Sequence, residues 1–207
     1  MMVPGVGILG TGKSLPEQDI SNDYFVERGL DTTDEWIQSR TGIQRRRFAA
    51  PHEKTADFAC EAAKMAIESA GISKEQIGLL ILATSTPDYS GFPSTACVVQ
   101  DKLGLPSTCG AFDLSAACTG FNYALTCGAQ FVKTGQSGYV LVIGADCLSR
   151  ITDFSDRTTC VIFADGAGAA VLGEVEAGYG LLGSRLYAEG AHGKILKVEQ
   201  EEHEGLD

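Results

Sequence analysis

The chain has 207 residues, 44% of them hydrophobic and 21% charged, with 25 glycines and a formal net charge of −11. That composition belongs to a folded globular protein, and the acidity argues against a general nucleic-acid or anionic-membrane surface. No apolar run approaches the roughly 18 residues that span a bilayer. The start, Met1-Met2-Val3-Pro4-Gly5, lacks the basic stretch of a secretory signal. The seven cysteines include no Cys-x-x-Cys pair, so reduced thiols in a cytoplasmic protein are expected rather than disulfides or a metal site.

Apolar runs at Val3–Leu9, Leu79–Ala83, Ala111–Leu114, Tyr139–Ile143, Val161–Phe163 and Ala169–Leu172 are short and continuous, the pattern of strands buried on both faces. Helices are expected between them. Thr55 is placed to cap one that runs to about Ala70 and ends at Gly71. A second covers roughly Pro93–Leu103. A third runs from Cys118 to about Thr134, with Phe121, Leu125, Ala129 and Val132 on one side. Strands alternating with helices predict a layered α/β fold. The stretch from Lys194 to Asp207 is acidic with little apolar periodicity, and is expected to be solvated.

Gly7-Ile8-Leu9-Gly10-Thr11-Gly12-Lys13-Ser14 fits the spacing of a phosphate-binding loop. Such a loop needs a strand before its first glycine and a helix opening at Lys-Ser. Here Ile8 and Leu9 extend the strand into the loop, and Pro16 turns Leu15 away from helical geometry. A nucleotide hydrolase, with Asp146 as its magnesium-holding acid, is therefore the minor alternative.

Six cysteines, Cys60, Cys97, Cys109, Cys127, Cys147 and Cys160, lie among small or apolar neighbours and read as buried packing residues. Cys118 differs. It follows the strand Gly110–Leu114 through the short turn Ser115-Ala116-Ala117 and opens a helix. A thiol at a helix start faces unsatisfied amides and the positive end of the dipole, which favour thiolate. On the residues alone, a nucleophile and a structural cysteine stand level.

The segment Asp113-Leu114-Ser115-Ala116-Ala117-Cys118-Thr119-Gly120-Phe121 resembles the active-cysteine segment of β-ketoacyl-acyl-carrier-protein synthase III, the initiating condensing enzyme of fatty-acid synthesis. Thr32–Ile37 with Arg40–Ile43, Gly91–Ser94, Asp156-Arg157 and Ile162–Ala170 resemble further family segments in the same order. The resemblance implies a thiolase-type fold of two similar α/β halves, layered α-β-α. Residues 1–174 would form the N-terminal half, and 175–207 the beginning of the second.

The same resemblance makes Cys118 the acylated nucleophile. Trp36 and Arg157 would sandwich the adenine of coenzyme A, Thr32 and Arg40 would hold its polar groups, and Phe92 and Phe163 would line acyl pockets, Phe92 in the neighbouring subunit of a homodimer. The Arg45-Arg46-Arg47 cluster is left between a phosphate or carrier-protein contact and a solvated strand edge. Acyl-coenzyme A and acyl carrier protein are the implied partners, with no resident cofactor or metal and no nucleic acid or membrane. The family's catalytic His and Asn come from its second half; His52, His192, His203 and Asn122 match neither. The chain is thus expected to be incomplete for condensation, yet able to load an acyl group. A polyketide-type starter enzyme and a non-catalytic scaffold are the other readings carried forward.

Overall fold

A computed structural model of the protein describes residues 4–198. The expected acidic tail lies mostly outside these residues, as does His203. Seven strands are present among the described residues: β1 (Gly5–Ser14), β2 (Gln18–Ser21), β3 (Arg45–Phe48), β4 (Ile77–Ala83), β5 (Gly110–Leu114), β6 (Tyr139–Cys147) and β7 (Asp165–Val175). The helices are α1 (Asp23–Glu27), α2 (Asp34–Thr41), α3 (Thr55–Ala70), α4 (Thr95–Leu103) and α5 (Gly120–Lys133). β2 and β3 form a small antiparallel pair; the other five make one sheet in the order β1-β7-β6-β4-β5. β4, β5 and β6 run parallel, and β7 and β1 add antiparallel to one side.

The continuous apolar runs are two-sided strands. Leu80, Leu82, Leu141 and Ile143 face α3 and α4, whereas Leu79, Ile81, Val140 and Val142 face α5. All but Leu79 have none of their surface exposed. Each such side chain contributes roughly 1.5–3 kcal/mol of burial free energy, so neither helical layer is dispensable. The α-β-α layering expected from the sequence is present.

The expected first strand is too short. β1 continues through Thr11, Gly12, Lys13 and Ser14, which pair with Ala170, Ala169, Gly168 and Ala167 of β7. The phosphate-loop motif is therefore ladder, not loop. Its glycines serve packing: a Cβ on Gly10 would lie 2.5 Å from the Ala66 carbonyl, and one on Gly12 2.1 Å from that of Ala62. Bare backbone on β1 meets the alanine face of α3, so helix and strand close to a distance no side chain permits.

Two further expectations are corrected. Val161–Phe163 is not a strand but the end of a turn region, because Val161 packs into the separate cluster of Ile20, Phe25, Ile37, Phe48 and Cys160. Thr55 does not cap α3; its Oγ1 donates to the Thr86 carbonyl at 2.6 Å, and the helix opens at Lys54, whose amide donates to Asp57 Oδ2 at 2.8 Å. α4 starts two residues later than expected, where Ser94 Oγ accepts from the Cys97 amide at 3.3 Å. Among the described residues after β7 there are turns and irregular segments with one 3-10 turn at Gly190–His192, and Leu182, Tyr187 and Ile195 stand largely exposed.

Candidate functional site

Register fixes where Cys118 stands. Ala83 of β4 pairs with Leu114 of β5 on one side and Gly144 of β6 on the other, so β4 and β5 end at one level while β6 runs on to Cys147 beside β7. Ligands of open α/β sheets bind beyond that edge. The chain leaves β5 at Leu114, and the 3-10 turn Ala117–Thr119 then leads into α5. Cys118 thus lies one turn ahead of the helix instead of opening it. Gly120 lies against Ala83, since a Cβ there would be 3.0 Å from that of Ala83, and Gly144 abuts the Phe121 ring. These contacts seat the turn on the strand ends.

The turn is strained. Ala117 has φ 45°, the one non-glycine residue with positive φ among those described, in a region that costs an L residue about 1–2 kcal/mol. Strain of this kind persists where neighbouring structure enforces it. Cys118 is exposed and free, as is Cys97; Cys60, Cys109, Cys147 and Cys160 are buried. No side chain caps α5, and the amide of Gly120 at its start bonds the Ala117 carbonyl of the preceding turn. Burial pushes the thiols of Cys60, Cys109, Cys127, Cys147 and Cys160 up, Cys60 to about 11. Cys97, though exposed, has its Sγ directed at the Ala111 carbonyl, 3.7 Å away.

Trp36 is on α2, whose start is fixed by Thr33: its Oγ1 accepts from the Trp36 amide at 3.1 Å. The Trp36 ring is half-buried and meets two guanidinium groups, with Cζ of Arg40 4.4 Å and Cζ of Arg157 4.7 Å from its centroid. Both are cation–π distances. Arg157 is held by Asp31, through the Asp31 carbonyl and a carboxylate contact at 3.3 Å. Trp36 and Arg157 therefore touch each other. A purine inserted between them needs two stacking contacts of about 3.5–4 Å where one exists, so Arg157 has to give way.

Thr32 lies beside this pair, and its buried Oγ1 has no hydrogen-bond partner. An unpaired buried hydroxyl is rare and unfavourable. The structure thus brings together Trp36, Arg157 and Arg40, with Thr32 next in the chain to Asp31, which holds Arg157. Phe163 is half-buried just before β7. Phe92 does not line any closed pocket within one chain, being 92% exposed. The Arg45–Arg47 cluster divides: Arg45 and Arg47 lie on a solvated strand edge, paired with Asp19, whereas Arg46 is buried over the Phe25 ring.

Asp146 is likewise accounted for. Its Oδ1 accepts from the Ser85 amide at 2.7 Å and from Thr84 Oγ1, the Thr86 amide and Thr86 Oγ1 at 3.1 Å each. It fastens the Thr84–Thr86 loop to the end of β6 and leaves no metal-holding role for the phosphate-loop reading. Asn22, which bonds Asp34 and Arg46, gave no signal in the sequence; Asp34 and Arg46 stood out only within the Thr32–Ile37 segment and the arginine cluster, because the partners that give them a role are distant in the chain.

Known proteins resemble this chain over most of its length. Residues 112–190, which include Cys118, match the family model for 3-oxoacyl-[acyl-carrier-protein (ACP)] synthase III. The β-ketoacyl-[acyl-carrier-protein] synthase III of Caldanaerobacter subterraneus subsp. tengcongensis is 54% identical over 190 residues, 92% of this chain and 56% of that protein. The chain is similar over most of its length to 3-oxoacyl-[acyl-carrier-protein] synthase III proteins.

Solved synthase III structures share its fold. That from Aquifex aeolicus VF5 superposes with a TM-score of 0.85 at 48% identity, over 90% of this chain and 59% of its own. That from Thermus thermophilus gives 0.88 at 43% identity, over 95% and 60%. The fold is thus the thiolase-like one of the synthase III proteins, and the chain spans little more than half the length of the curated relative it matches.

Proposed function

We propose that this chain carries the acyl-loading site of a β-ketoacyl-acyl-carrier-protein synthase III, with Cys118 as nucleophile and the Trp36–Arg157 pair as the coenzyme A holder. The Cys118 thiolate attacks the thioester carbonyl of a short acyl-coenzyme A. A carbon–sulfur bond forms to Cys118, the bond to coenzyme A breaks, and coenzyme A leaves as a thiol with the proton that Cys118 gave up. Condensation of the acyl-cysteine with malonyl-acyl-carrier protein, initiating fatty-acid synthesis, is read as the activity of the whole family protein. Homodimerisation, with Phe92 reaching a neighbouring acyl site, and a cytoplasmic location without a resident cofactor belong to the same reading. The exposure of Phe92 favours a partner for it, and no helix among the described residues is long and apolar enough to cross a membrane.

The observation that carries the proposal is an exposed cysteine in a strained turn beyond the paired ends of β4 and β5, uncovered by any capping side chain. The test is incubation with acetyl-coenzyme A followed by peptide mass spectrometry. An acetyl group on the Cys118 peptide, absent from the Cys97 peptide and accompanied by release of free coenzyme A, is the expected result. No acetyl group on Cys118 overturns the proposal.

A further inference from the structure

Trp36 and Arg157 reach one place from distant parts of the chain, so their supports have to be held in register. Asn22, with none of its surface exposed, secures the first. Its Nδ2 donates to Asp34 Oδ1 at 2.7 Å, in the first turn of α2, and to the Ile43 carbonyl at 2.9 Å, just past that helix. One amide group therefore fixes both ends of the helix that carries Trp36 and Arg40. The second support is the turn Asp156–Cys160. There the Thr159 and Cys160 amides bond the Asp156 carbonyl at 3.2 and 3.0 Å, and the Asp156 carboxylate accepts from Thr158 and Thr159.

Arg46 joins the two. Its Nη2 donates to Asn22 Oδ1 and to the Val161 carbonyl, both at 2.9 Å. The residue is 4% exposed, and its Nε and Nη1 have no hydrogen-bond partner. A buried charge with two idle donors is an unfavourable way to fill space, which an apolar side chain of similar volume fills without that penalty. What the guanidinium adds is a forked bond from one nitrogen to both supports.

We propose that Arg46 and Asn22 are positioning residues for the nucleotide clamp: as a buried relay they set the spacing and stiffness of the Trp36–Arg157 pair without touching the ligand. The inference rests on the coenzyme A reading of that pair and extends it inward. Ligand-binding groups depend on such supporting shells for their geometry.

Trp36 is the one tryptophan of the chain, so its fluorescence reports the clamp directly. Arg46→Met keeps a stem over Phe25 but removes Nη2, Asn22→Ala removes the other link, and Arg46→Lys restores a charged donor. In ligand-free protein, the acrylamide quenching constant of Trp36 is expected to rise about two-fold in Arg46→Met and Asn22→Ala. The coenzyme A dissociation constant, read from quenching of the same residue, is expected to rise roughly ten-fold, with Arg46→Lys recovering most of both effects. Circular dichroism checks that each variant is folded. Should Arg46→Met not fold, Asn22→Ala and Arg46→Lys carry the same measurements. An acrylamide constant unchanged in a folded Asn22→Ala or Arg46→Met overturns the relay. A loosened Trp36 with unchanged coenzyme A affinity overturns its role in ligand positioning. Coenzyme A that leaves wild-type Trp36 unaffected overturns the coenzyme A reading instead, and the acrylamide comparison still decides the relay.

Discussion

Gly12 of β1 and Ala62 of α3 face each other so closely that a methyl group on Gly12 would come within 2.1 Å of the Ala62 carbonyl oxygen. Neither backbone can move freely, because β1 is paired along its length with β7 and Ala62 has none of its surface exposed. Gly12→Ala is therefore expected to destabilise the fold by about 2–3 kcal/mol, read as a lower urea midpoint. Lys13→Ala, at an exposed position of the same strand, should stay within about 0.5 kcal/mol of wild type. Magnesium-ATP should stabilise neither protein, and a midpoint raised by the nucleotide in wild type and not in Lys13→Ala would revive the phosphate-loop reading.

The Asp146 carboxylate gathers four donors on one oxygen, three of them from Thr84 and Thr86, which are themselves buried. Removing an acceptor from several buried donors costs more than the bonds themselves contribute, because the donors stay dry and unpaired. Asp146→Ala is expected to lose about 2–4 kcal/mol of stability. Amide exchange at Ser85 and Thr86, followed by NMR or mass spectrometry, should speed up more than exchange in β6 itself. Equal protection in both proteins would show that the loop is held by something else.

These cases mark where the sequence is readable. β4 and β6 are buried on both faces, so their apolar runs are unbroken and visible without knowledge of the fold. Val161–Phe163 has the same local look yet forms no strand, because its surroundings are set by Phe25, Phe48 and Arg46, far off in the chain. The second half of β1 hides for the opposite reason: its glycines are demanded by α3, and its Thr11 and Lys13 face solvent. Cys118 is legible because strand, short turn and helix are consecutive. The Asn22–Arg46–Val161 connection spans most of the chain and has no local pattern to read.

Burial holds the Cys60 thiol protonated, with its pKa raised from 9.0 to about 11. The unfolded chain ionises this thiol first, so the contribution is complete below about pH 9 and is lost as pH climbs towards 11. Across that window Cys60 alone should remove on the order of 2 kcal/mol of stability. Cys60→Ala is thus expected to be less stable than wild type at pH 8, where it leaves a small cavity, and to close the gap at pH 10.5. Parallel urea midpoints for the two proteins at both pH values would show that the thiol does not ionise differently on unfolding.

Ala117 supplies the last prediction, since its φ of 45° sets the path from β5 through Cys118 to α5. Glycine adopts that conformation without strain but loses more chain entropy on folding. Relief of about 1–2 kcal/mol against an entropy cost of about 0.5–1 kcal/mol leaves Ala117→Gly more stable by roughly 0.5–1 kcal/mol. The same change loosens the turn, so Cys118 should sample positions away from the one that Ala117 enforces. Iodoacetamide labelling separates the two effects. In wild type, Cys118 is expected to react faster than Cys127, which is half-buried and whose thiol burial pushes up. In Ala117→Gly the Cys118 rate should fall several-fold while Cys97, exposed on α4, keeps its own. A Cys118 that labels no faster than Cys127 in wild type would mark it as an ordinary surface thiol, and the strained turn would then have no part in activating it.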